Sequence, residues 1–204
     1  MSKAAFLAVV LMAVLPVNKS FSQSNVKAVD QVKRKKSLVV YVGGGLADYL
    51  APIKIQPVNL QNNITRISAT GTIRIMWHPG YRLNLGIESG YTNFYSYHVK
   101  NNGISGKLSL HAIPMLVVWS MPILKRVNIF YGLGSYLLTT GLKYGGVVES
   151  KNFSLGSNIA ISYTQPVSKK LGIAAEAKWM NAFVTKDNLL SVEVQLVWKF
   201  FEFK

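Results

Sequence analysis

Histidine and serine are the residues in this chain whose chemistry could support catalysis, since it contains no cysteine. His98 lies near Ser96, and His111 follows Ser109 by two residues. Residues two apart share one face of a strand, so Ser109 and His111 are expected to point together into an interior. A hydrolytic pair also needs a carboxylate that orients the imidazole, and none is assigned to His98. His78 is expected in a turn. Because no histidine has the partners of a hydrolytic site, catalysis is kept only as an alternative.

Six charged residues form the second candidate group, because each falls on the polar face of an otherwise apolar run. They are Arg74, Glu88, Glu176, Lys178, Glu193 and Lys199. We predict that they form a polar cluster in the interior, either as a gated ion path or as a plug of mutually paired charges. The plug is favoured because an interior enclosed by eight strands is just wide enough for side chains to fill.

No pattern of residues predicts a cofactor or a metal. Metal-ligand spacing is missing from the sequence, and Gly43-Gly44-Gly45 precedes no helix that could complete a phosphate cradle. These glycines are expected to allow a close approach of strands or a kink.

Eight β-rich runs, separated by glycine, proline, asparagine and lysine clusters, must position these residues. The runs are residues 38–46, 66–77, 83–95, 104–119, 127–140, 152–165, 171–183 and 189–203. In the last run Val192, Val194 and Leu196 share one face, while Glu193 and Gln195 share the other. A transmembrane barrel puts the apolar face outward. The pattern therefore predicts an all-β fold, an eight-stranded antiparallel up-and-down transmembrane β-barrel.

Two runs leave an alternative open. The first and fourth runs are apolar on both faces and could be buried strands of a soluble sheet. A lipocalin-like barrel that binds a ligand also has eight strands, but it would turn its apolar faces inward.

Connections and aromatic residues indicate the orientation. The links HPGYR, SMPILKR and PVSKK are compact and contain proline, whereas SYHVKNNG, GLKYGGVVESK and the link after the first run are longer. Short turns lie at the periplasmic end of such barrels. Aromatic residues at the strand ends predict two girdles. The periplasmic girdle consists of Trp77, Trp119, Tyr163, Trp198, Phe200, Phe201 and Phe203, and the outer girdle of Tyr91, Phe94, Tyr95, Tyr136, Trp179 and Phe183.

The N-terminus predicts export. Residues 1–22 have a basic start, an apolar run and small residues before Gln23, as in a cleavable signal peptide. Residues 23–37 are predicted to be a flexible basic segment, and residues 38–204 the barrel. Removal of residues 1–22 leaves 21 basic against 8 acidic residues, a balance of +13. In an exported, strand-rich chain this charge favours contact with anionic lipid head groups over nucleic acid.

Glycine-spaced amphipathic strands such as Tyr131-Gly-Leu-Gly and a last strand rich in aromatic residues, LLSVEVQLVWKFFEF, are the motifs of a resemblance. Over residues 38–204 the chain resembles the small outer-membrane β-barrels of Gram-negative bacteria, including porin-like barrels of Bacteroidota and the transmembrane domain of OmpA. The resemblance implies a monomer in the cell outer membrane, in contact with lipid and lipopolysaccharide and inserted by the barrel-insertion machinery.

The function expected from this resemblance is structural, adhesive or partner-binding, with an unknown protein bound through the outer loops, and not catalytic. Three alternatives remain: a narrow porin-like channel, a lipid A-modifying barrel enzyme, and the soluble lipocalin-like barrel.

Overall fold

The computed structural model describes residues 36–50, 63–80, 82–101, 104–143 and 147–203. The predicted signal peptide and residues 23–35 lie outside the described residues. In the part of the chain that is described, no helix is long and apolar enough to span a membrane.

Nine antiparallel strands make up the described chain. They are β1 (Lys36–Tyr49), β2 (Asn63–Thr65), β3 (Ile67–His78), β4 (Asn84–Asn101), β5 (Ile104–Leu124), β6 (Val127–Lys143), β7 (Val147–Pro166), β8 (Leu171–Ala182) and β9 (Asp187–Phe203). β1 begins two residues before the predicted run, because Lys36 pairs with Phe203 and Ser37 with His78.

Eight of these strands close into a barrel. The order is β1-β3-β4-β5-β6-β7-β8-β9. The barrel closes because β9 also pairs with β1, from the pair Lys36–Phe203 at one end to the pair Tyr49–Leu189 at the other. The predicted eight-stranded antiparallel barrel is therefore confirmed. Among the described residues, the additional strand, β2, pairs only with β4, at Ser96–His98.

The barrel carries its apolar residues on the outside. In β9, Val192 is 61% and Val194 is 63% exposed. Glu193, which lies between them, and Gln195, which follows Val194, are each 1% exposed. The lipocalin-like alternative, which needs the opposite arrangement, is wrong for this chain. An apolar exterior around charged interior residues is the arrangement that a bilayer stabilises.

The lumen holds more apolar side chains than the alternation predicted. Leu116 and Val118, from the ambiguous fourth run, are buried inside, and this is why that run is apolar on both faces. Two residues predicted in the outer girdle, Phe94 and Tyr136, are also buried in the lumen. Tyr136 lies on the inward face of β6, and Phe94 lies at a β-bulge in β4.

Strand pairing extends far beyond the length that a membrane requires. The last pair of the β4–β5 hairpin is Asn101 with Ile104, and the last pair of the β6–β7 hairpin is Lys143 with Val147. The predicted loops SYHVKNNG and GLKYGGVVESK are thus mostly strand. At the other end the β5–β6 turn consists of Lys125 and Arg126 alone. We assign this end, with its short turns, to the periplasm and the long hairpins to the outside.

Candidate functional site

A cluster of charged side chains crosses the middle of the lumen. Arg74 and Glu88 are directly paired residues of β3 and β4, and Glu176 and Glu193 are directly paired residues of β8 and β9. Strand β1 separates the two pairs of strands, and its inward residues at this level are Gly43 and Gly45. Because glycine has no side chain, the charged groups of opposite walls can meet across β1.

Arg74 is the centre of the cluster and is completely buried. Its Nη1 and Nη2 donate to the two carboxylate oxygens of Glu176 at 2.8 and 2.9 Å, and its Nε donates to Glu88 Oε2 at 2.5 Å. The guanidinium carbon also lies 4.0 Å from the centroid of the Phe130 ring. A bidentate pair of this kind combines charge attraction with a defined orientation.

Lys178 joins the remaining carboxylates. Its Nζ donates to Thr72 Oγ1 at 2.8 Å and lies 3.1 Å from Glu88 Oε1 and 3.3 Å from an oxygen of both Glu176 and Glu193. The ammonium group therefore contacts three carboxylates at once, which offsets the cost of burying each of them.

Neutral side chains complete the cluster. Asn158 Nδ2 donates to Glu88 Oε1 at 2.7 Å, and Gln195 Nε2 and Ser191 Oγ donate to the carboxylate of Glu193 at 3.2 and 3.3 Å. These donors are needed because three carboxylates face only two cations. We call Arg74, Glu88, Glu176, Lys178 and Glu193 the ionic layer.

Apolar side chains fill the lumen on both sides of the ionic layer. Its periplasmic side is covered by Tyr41, Met76 and Phe130, and its outer side by Tyr136 and Met180, all buried. Buried side chains therefore lie in three successive layers along this part of the lumen.

Lys199 lies apart from the ionic layer, although the alternation assigned both to the interior. Gln195 and Val197 separate it from Glu193 on the same face of β9, and six residues of strand span roughly 20 Å. Its Nζ instead pairs with Glu202 Oε1 at 3.1 Å at the periplasmic end. Alternation identified the face of Lys199 but not its level along the barrel.

The histidines do not form a hydrolytic arrangement among the described side chains. His111 lies on the outward face of β5, half-buried, and its Nδ1 is 2.5 Å from the hydroxyl of Tyr91. The expectation that Ser109 and His111 point inward is wrong, because the inward residues of β5 are the even ones, such as Leu110 and Ala112. His78 lies at the periplasmic mouth. The side chain of His98 lies outside the described residues.

No group of three or more potential metal ligands occurs among the described residues. Sequence reasoning named the five members of the ionic layer, but it missed Asn158, Thr72, Ser191 and Gln195, which satisfy them. The signal available for these four was only that each occupies a polar, inward position of its strand.

The closed sheet, the apolar exterior and the charged lumen together define the class: this is an outer-membrane β-barrel of eight strands. No protein-family model and no curated protein matches the sequence of the chain.

The solved structures to which the chain is similar include three outer-membrane proteins. Ail, the attachment invasion locus protein of Yersinia pestis, is 7% identical with a TM-score of 0.46 over 81% of this chain and 98% of its own. Neisserial surface protein A is 14% identical with a TM-score of 0.45, over 81% and 99%. OprG from Pseudomonas aeruginosa is 10% identical with a TM-score of 0.44, over 81% and 97%. The narrower resemblance to barrels of Bacteroidota stays a prediction.

Proposed function

We propose that the protein is a non-catalytic, non-conducting outer-membrane barrel that holds a projecting β-sheet outside the cell as a binding surface for an extended segment of a partner protein. The observation that carries this proposal is the outer part of β7, from Val147 to Phe153, which has a partner strand on one side only among the described residues.

The edge of β7 is open because β8 is much shorter than β7. Pairing with β8 begins at Gly156, whereas pairing with β6 continues to Val147. Of the described residues, only Phe183 and Val184 donate to this edge, to Leu155 O at 2.8 Å and Ser154 Oγ at 3.2 Å. About 25 Å of strand beyond them has no strand partner in the described chain.

The direction of the backbone groups follows from two hydrogen bonds. Leu155 O accepts from the β8 side, whereas Thr164 N donates to Arg126 O on the β6 side. In an antiparallel strand the N–H and C=O of one residue point to the same side, and the side alternates. The backbone groups of Glu149, Lys151 and Phe153 therefore face the open edge.

The other edge of the projecting sheet supports strand addition as its mode of binding. There β3 pairs with β4 only as far as Thr92, and β2 pairs with the next part of β4 toward the outside, Ser96–His98. One edge is thus covered by a strand from the chain itself. The open edge offers the same main-chain groups, and the exposed side chains of Glu149 and Lys151 alternate in charge, which favours a partner strand of complementary alternation.

Strand addition is tested with a peptide of sequence VVESKNFS, a copy of residues 147–154. Paired antiparallel, it places lysine opposite Glu149 and glutamate opposite Lys151. We expect a fluorescent form of the peptide to bind the folded barrel in detergent, and Lys151→Pro to weaken binding at least tenfold, because proline removes a main-chain donor from the open edge.

Lys151→Ala is the matched control, since it removes the charge but keeps the donor, and it should weaken binding less than threefold. Equal binding by the wild type and Lys151→Pro, or absence of binding by the wild type, contradicts the proposal.

The absence of conduction is a separate prediction. Buried side chains occupy three successive layers of the described lumen, so we expect purified protein in a planar bilayer to give no discrete current steps at 100 mV in 1 M KCl. Reproducible, ion-selective steps from folded protein would favour the porin-like alternative instead.

A further inference from the structure

A basic cavity lies at the periplasmic mouth of the barrel, at the opposite end from the projecting sheet. Its volume is about 220 Å³. Val39, Tyr41 and Val197 contribute apolar surface to it, and the turn between β7 and β8 contributes Lys169 and Lys170.

Two residues that line this cavity have a buried polar atom without a partner in the described structure. They are His78, at Nε2, and Thr164, at Oγ1. His78 comes from the end of β3 and Thr164 from β7. Leaving a buried donor or acceptor unsatisfied costs free energy, and so a ligand that supplies partners gains affinity at this place.

The charged residues of the lining are all basic. Lys169, Lys170 and Lys199 line the cavity, and no aspartate or glutamate is among its described lining residues. The ion pair of Lys199 with Glu202 offsets one of these charges. The backbone of the turn is held in place, since Ser168 Oγ accepts from Lys170 N at 3.3 Å and Leu171 N at 3.0 Å, and Lys199 N donates to Lys170 O at 2.8 Å.

We propose that the periplasmic mouth is a binding site for a phosphate group. Three lysines, a histidine and a threonine among the lining residues of one small cavity provide donors that suit an anion with several acceptor oxygens. A phosphate offers more acceptors than a carboxylate. The phosphate belongs either to a soluble ion in the periplasm or to the head group of an inner-leaflet phospholipid.

The experiment follows the ring resonances of His78 by NMR in the folded full-length protein. In micelles of an uncharged detergent, inorganic phosphate is expected to shift them with saturation in the millimolar range or below. Lys169→Gln should weaken this binding about fivefold, since it removes one charge-assisted contact. Lys125→Gln removes the same charge from another periplasmic turn and should change the affinity less than twofold.

A second arm distinguishes the two sources. In nanodiscs without added phosphate, His78 should shift when phosphatidylcholine, whose choline balances the charge of the head-group phosphate, is replaced by phosphatidylglycerol if the ligand is a lipid head group. It should not shift on this replacement if the ligand is soluble phosphate. Either result, with the Lys169 dependence, supports the site. The proposal is overturned if His78 responds to none of the probes, or if Lys125→Gln weakens binding as much as Lys169→Gln, which would indicate diffuse surface charge.

Discussion

Replacement of Arg74 by methionine is expected to lower the free energy of unfolding by about 3–5 kcal/mol, the usual cost of leaving buried charges without their partner. Methionine fills much of the space but supplies no donor, so the carboxylates of Glu88 and Glu176 would keep only Lys178 and Asn158. Urea unfolding of the barrel in detergent, followed by the fluorescence of its four tryptophans, measures the change.

Two controls separate the loss of a partner from a general effect of substitution. Lys199→Met breaks an ion pair that is partly exposed, and it should cost less than about 1 kcal/mol. Adding Glu176→Gln to Arg74→Met should recover part of the lost stability, because one unpartnered charge is then removed. A cost below about 1 kcal/mol for Arg74→Met alone would mean that the ionic layer contributes little to stability.

A methyl group at Gly45 is expected to disturb the closure of the barrel. A Cβ at this position would overlap the carbonyl oxygen of Val192 and lie 2.7 Å from the Cα of Glu193, both in the neighbouring strand β9. Backbone atoms cannot rotate away as a side chain can, so β1 and β9 would have to shift. We expect Gly45→Ala to cost about 1–3 kcal/mol, the usual range for overpacking.

The measurement is the temperature at which the folded form changes its mobility on a gel of heated samples. Gly71→Ala on β3 is the matched control, because the nearest atom to its added Cβ, Gly43 O, is at 3.6 Å, an ordinary contact. The midpoint should fall for Gly45→Ala and stay within about 2 °C for Gly71→Ala. If both variants melt together with the wild type, the close approach of β1 to β9 does not limit stability.

The sequence by itself determined the fold class and the faces of most strands. Alternation with a period of two tells which residues share a face, because successive side chains of a strand point to opposite sides. Glu193 and Gln195 were thus placed inside, and Val192 and Val194 outside, without the structure. The charges on one face of the strands assigned that face to the lumen, and the apolar face was therefore expected on the outside.

The level of each residue along the barrel was decided only by the tertiary structure. Arg74 and Glu176 are 102 positions apart in the chain, and they meet because the stagger of the strands and the side-chain-free face of β1 bring them to one height. Lys199 shares a face with Glu193 but lies at another height, for which a period of two carries no signal.

The ends of the strands were also decided by the tertiary structure. The asparagines and glycines of SYHVKNNG and GLKYGGVVESK are typical of loops. Most of these residues are nevertheless strand, because β4 hydrogen-bonds to β5 and β6 to β7 almost to the tip of each hairpin. The open edge of β7 arises from the difference in length between β7 and β8, a relation between two strands that neither sequence segment contains. Local pattern therefore predicted the wall of this barrel, whereas the ionic layer and the projecting sheet depend on the stagger and the lengths of neighbouring strands.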